Sequence, residues 1–139
     1  MNIRPIQEAD EAAVAALWRT VFPSAPIWNH PESDIRRKLL TQRELFIVAE
    51  LENTIVGTAM GGFDGHRGWV YYVAVLPEFR RRNIGRVLME RVEHDLIAFG
   101  CTKINIQVRN TNKGVVEFYR RIGYLIEDHV SMGKLLNKS

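Results

Sequence analysis

One stretch of the chain decides its fold: Val73-Ala74-Val75-Leu76-Pro77-Glu78-Phe79-Arg80-Arg81-Arg82-Asn83-Ile84-Gly85-Arg86-Val87-Leu88. It begins inside an apolar run, residues 69–76, which is typical of a central strand covered on both faces. Pro77 ends that strand, and a basic turn leads into residues whose apolar members recur at helical spacing until Gly100, a natural residue for the position after a helix. The stretch therefore predicts a buried strand, a short turn and a helix N-terminus in immediate succession.

The turn before this helix has the properties of an anion-binding site. A helix N-terminus presents unpaired N–H groups and a partial positive charge, so the backbone alone can hold much of an anion. Gly85 would let a ligand approach the main chain closely, and Asn83 can adopt the left-handed conformation that a tight turn needs. Four arginines surround the turn: Arg80, Arg81, Arg82 and Arg86. We interpret the turn as a phosphate cradle, and the alternative is a solvated basic helix start.

The positive charge of the chain is concentrated in the same segment. The 139 residues carry a net charge of +3, whereas residues 80–91 hold five Arg and one Glu, a local charge of +4, so the rest of the chain sums to −1. A patch of this size fits a few phosphates better than the backbone of a duplex. We therefore expect no nucleic-acid partner, although a nucleic-acid-binding domain that uses these arginines is an alternative.

Composition predicts one globular domain over residues 1–139. With 46% hydrophobic and 25% charged residues, a chain of this length can bury a full core. Its one cysteine, Cys101, cannot form an internal disulfide and is expected to be a small buried residue. No ligand spacing of His, Cys or carboxylates indicates a metal. The longest apolar run, residues 69–76, falls far short of the ~20 residues of a membrane helix, so we expect a cytoplasmic protein without membrane contacts.

Hydrophobic periodicity predicts alternating helices and strands. The helices are expected at residues 11–21 after Asp10 as N-cap, 31–41, 84–99, and 113–122 after Asn112 as N-cap. The strands are expected at residues 2–6, 45–51, 54–60, 69–76 and 103–109, with one or two closing strands in 124–136. The order corresponds to an α/β chain with a mixed sheet, and it lacks the strict alternation of a Rossmann chain.

Two motifs in the right order resemble those of one enzyme family. The run Arg80-Arg81-Arg82-Asn83-Ile84-Gly85-Arg86 resembles the Q/R-x-x-G-x-G/A signature of the GCN5-related N-acetyltransferases (GNAT family), with Asn83 where the family usually has Gly. Downstream, Asn112-x-x-Val115-Val116-x-Phe118-Tyr119-x-x-x-Gly123-Tyr124 resembles the family segment N-x-x-A-x-x-[LF]-Y-x-x-x-G-[FY]. Residues 26–34 and 61–68 resemble a subgroup of small bacterial members, the YpeA-like proteins. The resemblance implies the acyl-CoA N-acyltransferase fold: a mostly antiparallel central sheet of six to seven strands flanked by about four helices.

The resemblance also implies how acetyl-CoA is bound. Its pyrophosphate would lie on the turn amides, its pantetheine would pair with the central strand, and a main-chain N–H freed by a bulge would polarise the thioester. Tyr119 would be the catalytic acid that protonates the leaving thiolate, and Asn112 would touch the cofactor arm. The implied cofactor-binding residues are Val73, Ala74, Val75, Arg80, Arg81, Arg82, Asn83, Ile84, Gly85, Arg86, Asn112 and Tyr119. The alternatives are a helix cap alone for Asn112 and core packing for Tyr119.

The sequence gives weaker signals for the residues that would bind the acceptor amine. Trp28 and Asn29 lie in the loop where family members vary to shape the acceptor pocket, and the alternative for Trp28 is a plug over the core. Tyr71 and Tyr72 should point to opposite faces of their strand, so at most one of them can face the acceptor. With Glu32, a loop carboxylate, the predicted substrate-binding residues are Trp28, Asn29, Glu32 and Tyr71.

A general base is harder to find. Many members of the family have a Glu on the central strand, but residues 69–76 contain neither a carboxylate nor a histidine. Glu32, Asp64 and His66 lie in predicted loops that could approach the acceptor directly or through water. Each of the three has a cap, turn or surface role as its alternative.

These patterns together predict an enzyme that moves an acetyl group from acetyl-CoA to a primary amine of a small molecule or a protein N-terminus. Cys101 has no paired His, so we expect direct attack by the amine without a covalent acyl-enzyme. The alternative is a catalytically weak CoA-binding regulatory or sensor module, which the missing strand carboxylate favours. The sequence leaves monomer and homodimer equally open.

Overall fold

The described chain contains a mixed five-stranded sheet, in which the strands lie side by side in chain order. The computed structural model describes residues 1–23, 30–109 and 112–136, and it divides into two units, Met1–Gln107 and Val108–Ser139. The strands are β1 (Asn2–Pro5), β2 (Phe46–Leu51), β3 (Thr54–Phe63), β4 (Gly68–Val75) and β5 (Ile104–Asn105). The first four pair antiparallel in chain order, and β5 pairs parallel with β4. The α/β class and the mostly antiparallel sheet are confirmed.

The strand count corrects the prediction of six to seven strands. Within the described residues there are five, because residues 124–136 contain no strand; β5, predicted over residues 103–109, is only two residues long. A strand requires a hydrogen-bonded neighbour as well as a favourable sequence, and the apolar residues of 124–136 do not keep the alternation that a half-buried strand needs. The strands predicted at residues 45–51 and 54–60 form an antiparallel hairpin, whose turn residues Glu52 and Asn53 both take positive φ, at 51° and 63°.

Two helices follow β1 and precede β2: α1 (Glu11–Val21) and α2 (Pro31–Lys38). Trp18 on α1 is buried and stacks on Phe46 of β2, with 5.7 Å between ring centroids. Asp10 occupies the N-cap position of α1 as predicted, but its side chain makes no capping hydrogen bond to this helix. Its carboxylate instead accepts a hydrogen bond from Arg4 Nη1 at 2.8 Å, and this pairing holds the pKa of Asp10 below its usual value. The first unit also contains three short 3-10 turns: Glu8–Asp10, Arg43–Leu45 and, after β4, Pro77–Phe79.

The long helix α3 (Ile84–Ala98) lies close against β3 and β4. A Cβ added to Gly57 of β3 would lie 2.9 Å from Leu88 Cδ1 and 3.0 Å from the Ala74 carbonyl oxygen, so a larger residue here would push α3 and β4 away from β3. The predicted end of the helix before Gly100 is confirmed, but Phe99 is 39% exposed rather than part of the buried stripe. Cys101 is buried as predicted, and its thiol donates to the Lys103 carbonyl oxygen at 3.2 Å.

The second unit contains α4 (Lys113–Arg121). Asn112 is its N-cap as predicted, because its side-chain oxygen accepts a hydrogen bond from the Val115 N–H at 3.4 Å. The chain leaves the helix at Gly123, whose φ of 106° is a conformation that glycine adopts without strain.

Candidate functional site

The middle of β4 carries an extra residue relative to β3. Thr58 pairs with Ala74 and Met60 pairs with Tyr71, so one residue of β3 lies opposite two residues of β4. Tyr72, inside this interruption, has a φ of 52°, in the left-handed region that is unfavourable for a residue with a side chain. A register shift with such a residue is a β-bulge. The bulge that the family resemblance implied is therefore present, at Tyr72.

A buried chain of hydrogen bonds holds this bulge. Trp18 Nε1–H donates to Thr58 Oγ1 at 3.0 Å, and the Thr58 hydroxyl donates to the Tyr72 carbonyl oxygen at 2.8 Å. Thr58 is fully buried, and the Trp18 indole stacks on the Tyr72 ring with 3.7 Å between centroids. Because one hydroxyl satisfies two buried polar groups, Thr58 stabilises a backbone conformation that would otherwise be strained.

One edge of β4 is open beside the bulge. Among the described residues, β5 pairs with β4 only at Gly68 and Trp69, so residues 70–75 have β3 as their one sheet neighbour. An open strand edge presents main-chain donors and acceptors in a row. Such an edge can bind an extended ligand as an added strand.

Antiparallel alternation indicates which β4 residues face the open edge. Leu76 N–H donates to the Val56 carbonyl oxygen at 2.9 Å, so Leu76 belongs to a hydrogen-bonded pair. Pairs alternate along the ladder, which directs the N–H and C=O of Val75 and Val73 away from β3 and those of Ala74 towards it. Of the three β4 residues predicted to bind a cofactor, Val73 and Val75 therefore have main-chain groups on the open side.

The turn before α3 presents free backbone amides. Asn83 is the N-cap of α3 with the predicted left-handed conformation, at φ 62°, and Arg81 has a φ of 64°. No side chain caps the first turn and it contains no acidic residue. The amide of Val87 donates to the Asn83 carbonyl oxygen at 3.0 Å, so the amides of residues 84–86 lie before the intrahelical ladder begins. The first turn therefore has the donors and the partial positive charge that an anion requires.

The arginine side chains around this turn are exposed to solvent. Arg80 Nε–H donates to the Val75 carbonyl oxygen at 3.2 Å, and the Arg82 guanidinium lies 5.1 Å from the centre of the Phe79 ring. Arg86 pairs with a glutamate one helical turn later, at 3.0 Å. These are local contacts at the surface, so the positive charge of the segment remains available to an anion from solvent.

An open cavity of about 420 Å³ lies beside the bulge, between α2 and the strands. Its lining consists of Asp34, Arg37, Lys38, Thr41, Met60, Tyr71 and Tyr72. The three charged residues lie at positions i, i+3 and i+4 of α2, which places them on one helix face. The cavity therefore combines a strained strand residue with charged groups of both signs.

The charged groups of the cavity are partly paired with each other. Asp34 Oδ2 accepts a hydrogen bond from the Tyr72 hydroxyl at 2.8 Å, and Asp34 Oδ1 forms a salt bridge with Arg37. Burial, with the Asp34 contact, raises the pKa of Tyr72 far above its usual value, so this phenol stays protonated. Burial lowers the pKa of the Lys38 ammonium.

The structure corrects the prediction for the two tyrosines. Tyr71 and Tyr72 line the same cavity, whereas strand alternation predicted opposite faces. The bulge at Tyr72 is the physical reason, because its positive φ interrupts the period of two. Sequence reasoning also missed Asp34, Arg37 and Lys38, whose spacing on a predicted helix looks like a solvated charged face.

The other residues predicted for the acceptor side have different positions. Trp28 and Asn29 lie outside the described residues. Glu32 is in an ion pair with Arg19, at 2.6 Å, which lowers its pKa, and it is not among the residues that line the cavity. Asp64 and His66 are also outside that lining, and Asp64 Oδ1 accepts the backbone N–H of His66 at 2.7 Å within the β3–β4 turn.

Tyr119 and Asn112 belong to the second unit. Tyr119 is buried, and its ring packs against Phe118 and Tyr124 with centroid distances of 5.1 Å and 5.7 Å. Burial raises the pKa of Tyr119 to about 12. Asn112 has the capping contact already described, which engages its side-chain oxygen.

A larger cavity, of about 470 Å³, lies between α1 and the β2–β3 hairpin. The charged residues among its described lining, Asp10 and Glu50, are both paired with Arg4. We therefore assign the candidate site to the bulge, its cavity and the turn before α3.

Residues 1–23, 30–109 and 112–136 contain neither a metal-ligand cluster nor a membrane-spanning helix. This part of the chain contains no cluster of three or more His, Cys, Asp or Glu that could hold a metal ion. It also contains no helix with the length and apolar character needed to cross a membrane.

Known proteins resemble the chain in sequence and in fold. The sequence model described as the acetyltransferase (GNAT) family matches residues 12–124. An acetyltransferase of Yersinia enterocolitica is 46% identical over 136 residues, which cover 98% of this chain and 96% of that protein. The aminoglycoside N-acetyltransferase AAC(6')-Iy, solved with a CoA bisubstrate analogue, has a TM-score of 0.81 at 16% identity, covering 96% of this chain and 97% of that chain. Naa20 of Chaetomium thermophilum, solved with a bisubstrate analogue, has a TM-score of 0.72 at 25% identity, covering 91% and 72% of the two chains.

These comparisons confirm the family that the two sequence motifs indicated. The matched residues 12–124 contain both motifs, the bulged strand and the turn before α3. The relative from Yersinia extends the match over nearly the whole chain. The protein therefore belongs to the GNAT family of acetyltransferases.

Proposed function

We propose that the protein transfers the acetyl group of acetyl-CoA to a primary amine, of a small molecule or a protein N-terminus, by direct attack and without a covalent acyl-enzyme. The observation that carries the proposal is the arrangement of the first unit. The N-terminus of α3 has no side-chain cap and is surrounded by four arginines. It follows shortly after β4, a strand that has a bulge and an open edge. The first feature suits a diphosphate, and the second suits an extended amide chain that ends in a thioester.

The residues before α3 fit the phosphates of CoA. The first turn has amides without a side-chain cap and has no carboxylate that would repel a phosphate. The surrounding guanidinium groups add charge that attracts the anion from solution. The residues that would hold the phosphates are Arg80, Arg81, Arg82, Asn83, Ile84, Gly85 and Arg86.

The open edge of β4 fits the amide-containing arm of the cofactor. Val73 and Val75 have main-chain groups on this edge, so they can pair with the two amides of a pantetheine arm as a neighbouring strand would. Ala74, between them, keeps the spacing through its own pairing with Thr58. A main-chain N–H next to the bulge would polarise the thioester carbonyl, which is an oxyanion-hole role.

Two residues of the second unit, Tyr119 and Asn112, have assigned roles in the proposed reaction. When the C–N bond forms and the C–S bond breaks, the attacking amine loses one proton to solvent, and the leaving thiolate gains one from a protein acid that solvent then reprotonates. Burial keeps the Tyr119 phenol protonated, with a pKa of about 12, so it can supply the proton to the thiolate. The Asn112 side chain retains its NH₂ donors after capping α4, and we assign them to the cofactor arm.

The acceptor amine must be neutral when it attacks. Deprotonating a lysine amine of pKa ~10.4 at pH 7 costs about 4.6 kcal/mol, whereas an α-amine of pKa ~7.8 costs about 1 kcal/mol. Residues 69–76 provide no carboxylate or histidine as a base, and Asp34, the carboxylate that lines the cavity, is already paired with Arg37 and Tyr72. We therefore expect α-amines of peptides, aminoacyl groups and small amino compounds to be better acceptors than lysine side chains.

The test is release of the CoA thiol from acetyl-CoA in the presence of a panel of amines, with matched α-amine and lysine peptides at several pH values. We expect thiol release with α-amine acceptors, and faster release from them than from lysine peptides at pH 7. Thermal protection by CoA measures cofactor binding independently. Protection without thiol release across the panel would support the sensor alternative, and faster turnover of lysine peptides would contradict the amine preference.

A further inference from the structure

The cavity beside the bulge contains charges that acetyl transfer alone does not require. Asp34, Arg37 and Lys38 of α2 line it together with Tyr71 and Tyr72 of β4. At neutral pH these three groups sum to one positive charge. A ligand that complements the cavity should therefore carry a negative charge when it is bound in its reactive form.

Asp34 marks the end of the cavity next to the bulge. Its Oδ2 accepts the hydroxyl of Tyr72, the residue with the left-handed conformation, at 2.8 Å. A carboxylate has about four acceptor positions, and the contacts to Tyr72 and Arg37 leave some of them open. The side chain is 17% exposed, so its remaining acceptors point to a partly desolvated space. An amine drawn to Asp34 would lie near the strand where the thioester is proposed to bind.

Lys38 provides the opposite charge at another point of the cavity. Its ammonium has no hydrogen bond or salt bridge within residues 1–23, 30–109 and 112–136, and Glu44 attracts it only at longer range. The side chain is half-buried, so the cation has lost part of its hydration without gaining a partner. Arg37, by contrast, is paired with Asp34 and its side chain is 71% exposed. Lys38 is therefore the cation that a bound anion would satisfy.

Asp34 and Lys38 contact different parts of the strands. Lys38 Nζ lies 3.7 Å from the position that a Cβ on Gly62 would occupy, so the ammonium is above β3 at Gly62. Asp34 Oδ2 is instead at the Tyr72 hydroxyl. The two residues are four positions apart on α2, which places their Cβ atoms about 5–6 Å apart, so the amine and anion subsites are adjacent but separate.

We propose that the acceptor is an amine that also carries a carboxylate or a phosphate, with the amine next to Asp34 and the anionic group on Lys38. This inference rests on the proposed acetyl transfer and adds the substrate class. With its amine in the neutral, attacking form, such a molecule carries one negative charge and matches the cavity. A polycationic amine would place a second positive group near Lys38 and Arg37, and is therefore a poor acceptor.

The experiment uses acceptor pairs that share one amine and differ only in the anion. One pair is the dipeptide amides Ala-Glu-NH₂ and Ala-Gln-NH₂, and the other is the dipeptide Ala-Gly and its amide Ala-Gly-NH₂, so all four acceptors have an α-amine. Thiol release from acetyl-CoA gives kcat/KM for each, and calorimetry on the CoA-bound protein gives the affinity of each acceptor without turnover. We expect a preference of about tenfold for the acidic member, mainly in KM, which corresponds to ~1.4 kcal/mol. The pair with the larger preference distinguishes an acidic side chain next to a peptide N-terminus from the terminal carboxylate of a small amino compound as the anionic group.

Three variants connect the preference to Lys38. Lys38→Met removes the charge and keeps the length, so the preference should fall below twofold. Lys38→Glu should reverse it in favour of Ala-Lys-NH₂. Lys134→Met is the matched control, an exposed lysine in the second unit, and should retain the full preference.

The possible outcomes separate this inference from the proposed function. Equal kcat/KM and equal affinity within both pairs, or an undiminished preference in Lys38→Met, would overturn the acceptor class and leave acetyl transfer intact. Charge-selective binding that depends on Lys38 but gives no thiol release would support the acceptor class and count against acetyl transfer.

Discussion

The turn before α3 and the cavity beside the bulge, the two proposed ligand sites, present their polar groups in different ways. The turn relies on main-chain amides and two residues with left-handed φ, and its arginine side chains stay in solvent. The cavity relies on side chains from α2 and β4 that tertiary packing brings together. Main-chain binding tolerates changes of side chain, whereas side-chain binding does not. The turn therefore suits a cofactor common to a family, and the cavity suits an acceptor particular to this protein.

The largest effect is expected outside both regions, at Tyr119, the residue to which the proposed function assigns protonation of the thiolate. Tyr119→Phe should lower kcat by about 100-fold, the lower range for loss of a general acid, with an unchanged affinity for CoA. Steady-state kinetics with acetyl-CoA and an α-amine acceptor, together with calorimetry of CoA binding, measure the two effects. Tyr124→Phe is the matched control in the same unit and should retain most of the activity. Full turnover in Tyr119→Phe would exclude its acid role.

The next largest effect should come from the hydroxyl that holds the bulge. Thr58→Val keeps the shape but leaves the Trp18 N–H and the Tyr72 carbonyl without their partner, which costs roughly 1–3 kcal/mol for each buried group. We expect a lower free energy of unfolding in urea. We also expect kcat to fall roughly 30-fold, equivalent to ~2 kcal/mol in the transition state.

Thr58→Ser is the control for this variant, because it keeps the hydroxyl and loses a methyl group. It should recover most of kcat while remaining somewhat less stable than the native protein. If Thr58→Val and Thr58→Ser lose kcat equally, the hydroxyl does not position the bulge. The cavity would then depend less on side chains than the comparison with the turn before α3 assumes.

On the turn, a change of backbone preference should matter more than a change of side-chain chemistry. Asn83→Val places a β-branched residue at φ 62°, which costs about 1–2 kcal/mol. We expect CoA to bind roughly tenfold more weakly, as the same free energy implies. Asn83→Gly should bind CoA as well as the native protein or better. Equal losses in Asn83→Val and Asn83→Gly would mean that the Asn side chain, and not the turn, binds the cofactor.

A smaller effect is expected from a single arginine of the turn. Arg81→Gln removes an exposed charge that would pair with a phosphate, and exposed ion pairs contribute about 0.2–1 kcal/mol, so the KM for acetyl-CoA should rise no more than about fivefold. The difference should disappear at high salt, because exposed charges are screened. A loss that exceeds tenfold and persists in 1 M salt would show that a guanidinium, and not the backbone, dominates this region.

The smallest effect concerns pH. Burial raises the pKa of Tyr119 to about 12, so the phenol remains protonated up to pH 10 and the rate should not fall there. With an acceptor of amine pKa ~7.8, kcat/KM should rise between pH 6 and 8 and then stay level. A decline with a midpoint near 10 would indicate a Tyr119 of ordinary pKa. A profile of kcat/KM from pH 6 to 10, with ionic strength fixed, measures this.

Local signals in the sequence predicted the turn before α3. The helical stripe up to Gly100 and the left-handed Asn83 follow from residue types within a few positions, and both are confirmed. The two motifs likewise lie within continuous segments. A region that acts through its own backbone is encoded by neighbours in sequence, so sequence reasoning can find it.

The acceptor side could not be predicted in the same way. The bulge at Tyr72 depends on Thr58 and Trp18, which lie 14 and 54 positions earlier in the chain, so the assumption of strict alternation failed for Tyr71 and Tyr72. Asp34 and Lys38 have the spacing of an ordinary solvated helix face, and only their packing over β3 and β4 makes them part of a cavity. The closing strands failed for a related reason, because strand pairing depends on a distant partner.

The buried position of Cys101 affects how the reaction can be observed. It is the only cysteine of the chain, it is 8% exposed, and its thiol is held by the Lys103 carbonyl oxygen. A sulfhydryl in such a place reacts slowly with electrophilic dyes, since the dye has little access to the sulfur atom. In a colorimetric assay of the folded protein, the signal of a thiol-reactive dye would come from the free CoA product and not from the polypeptide.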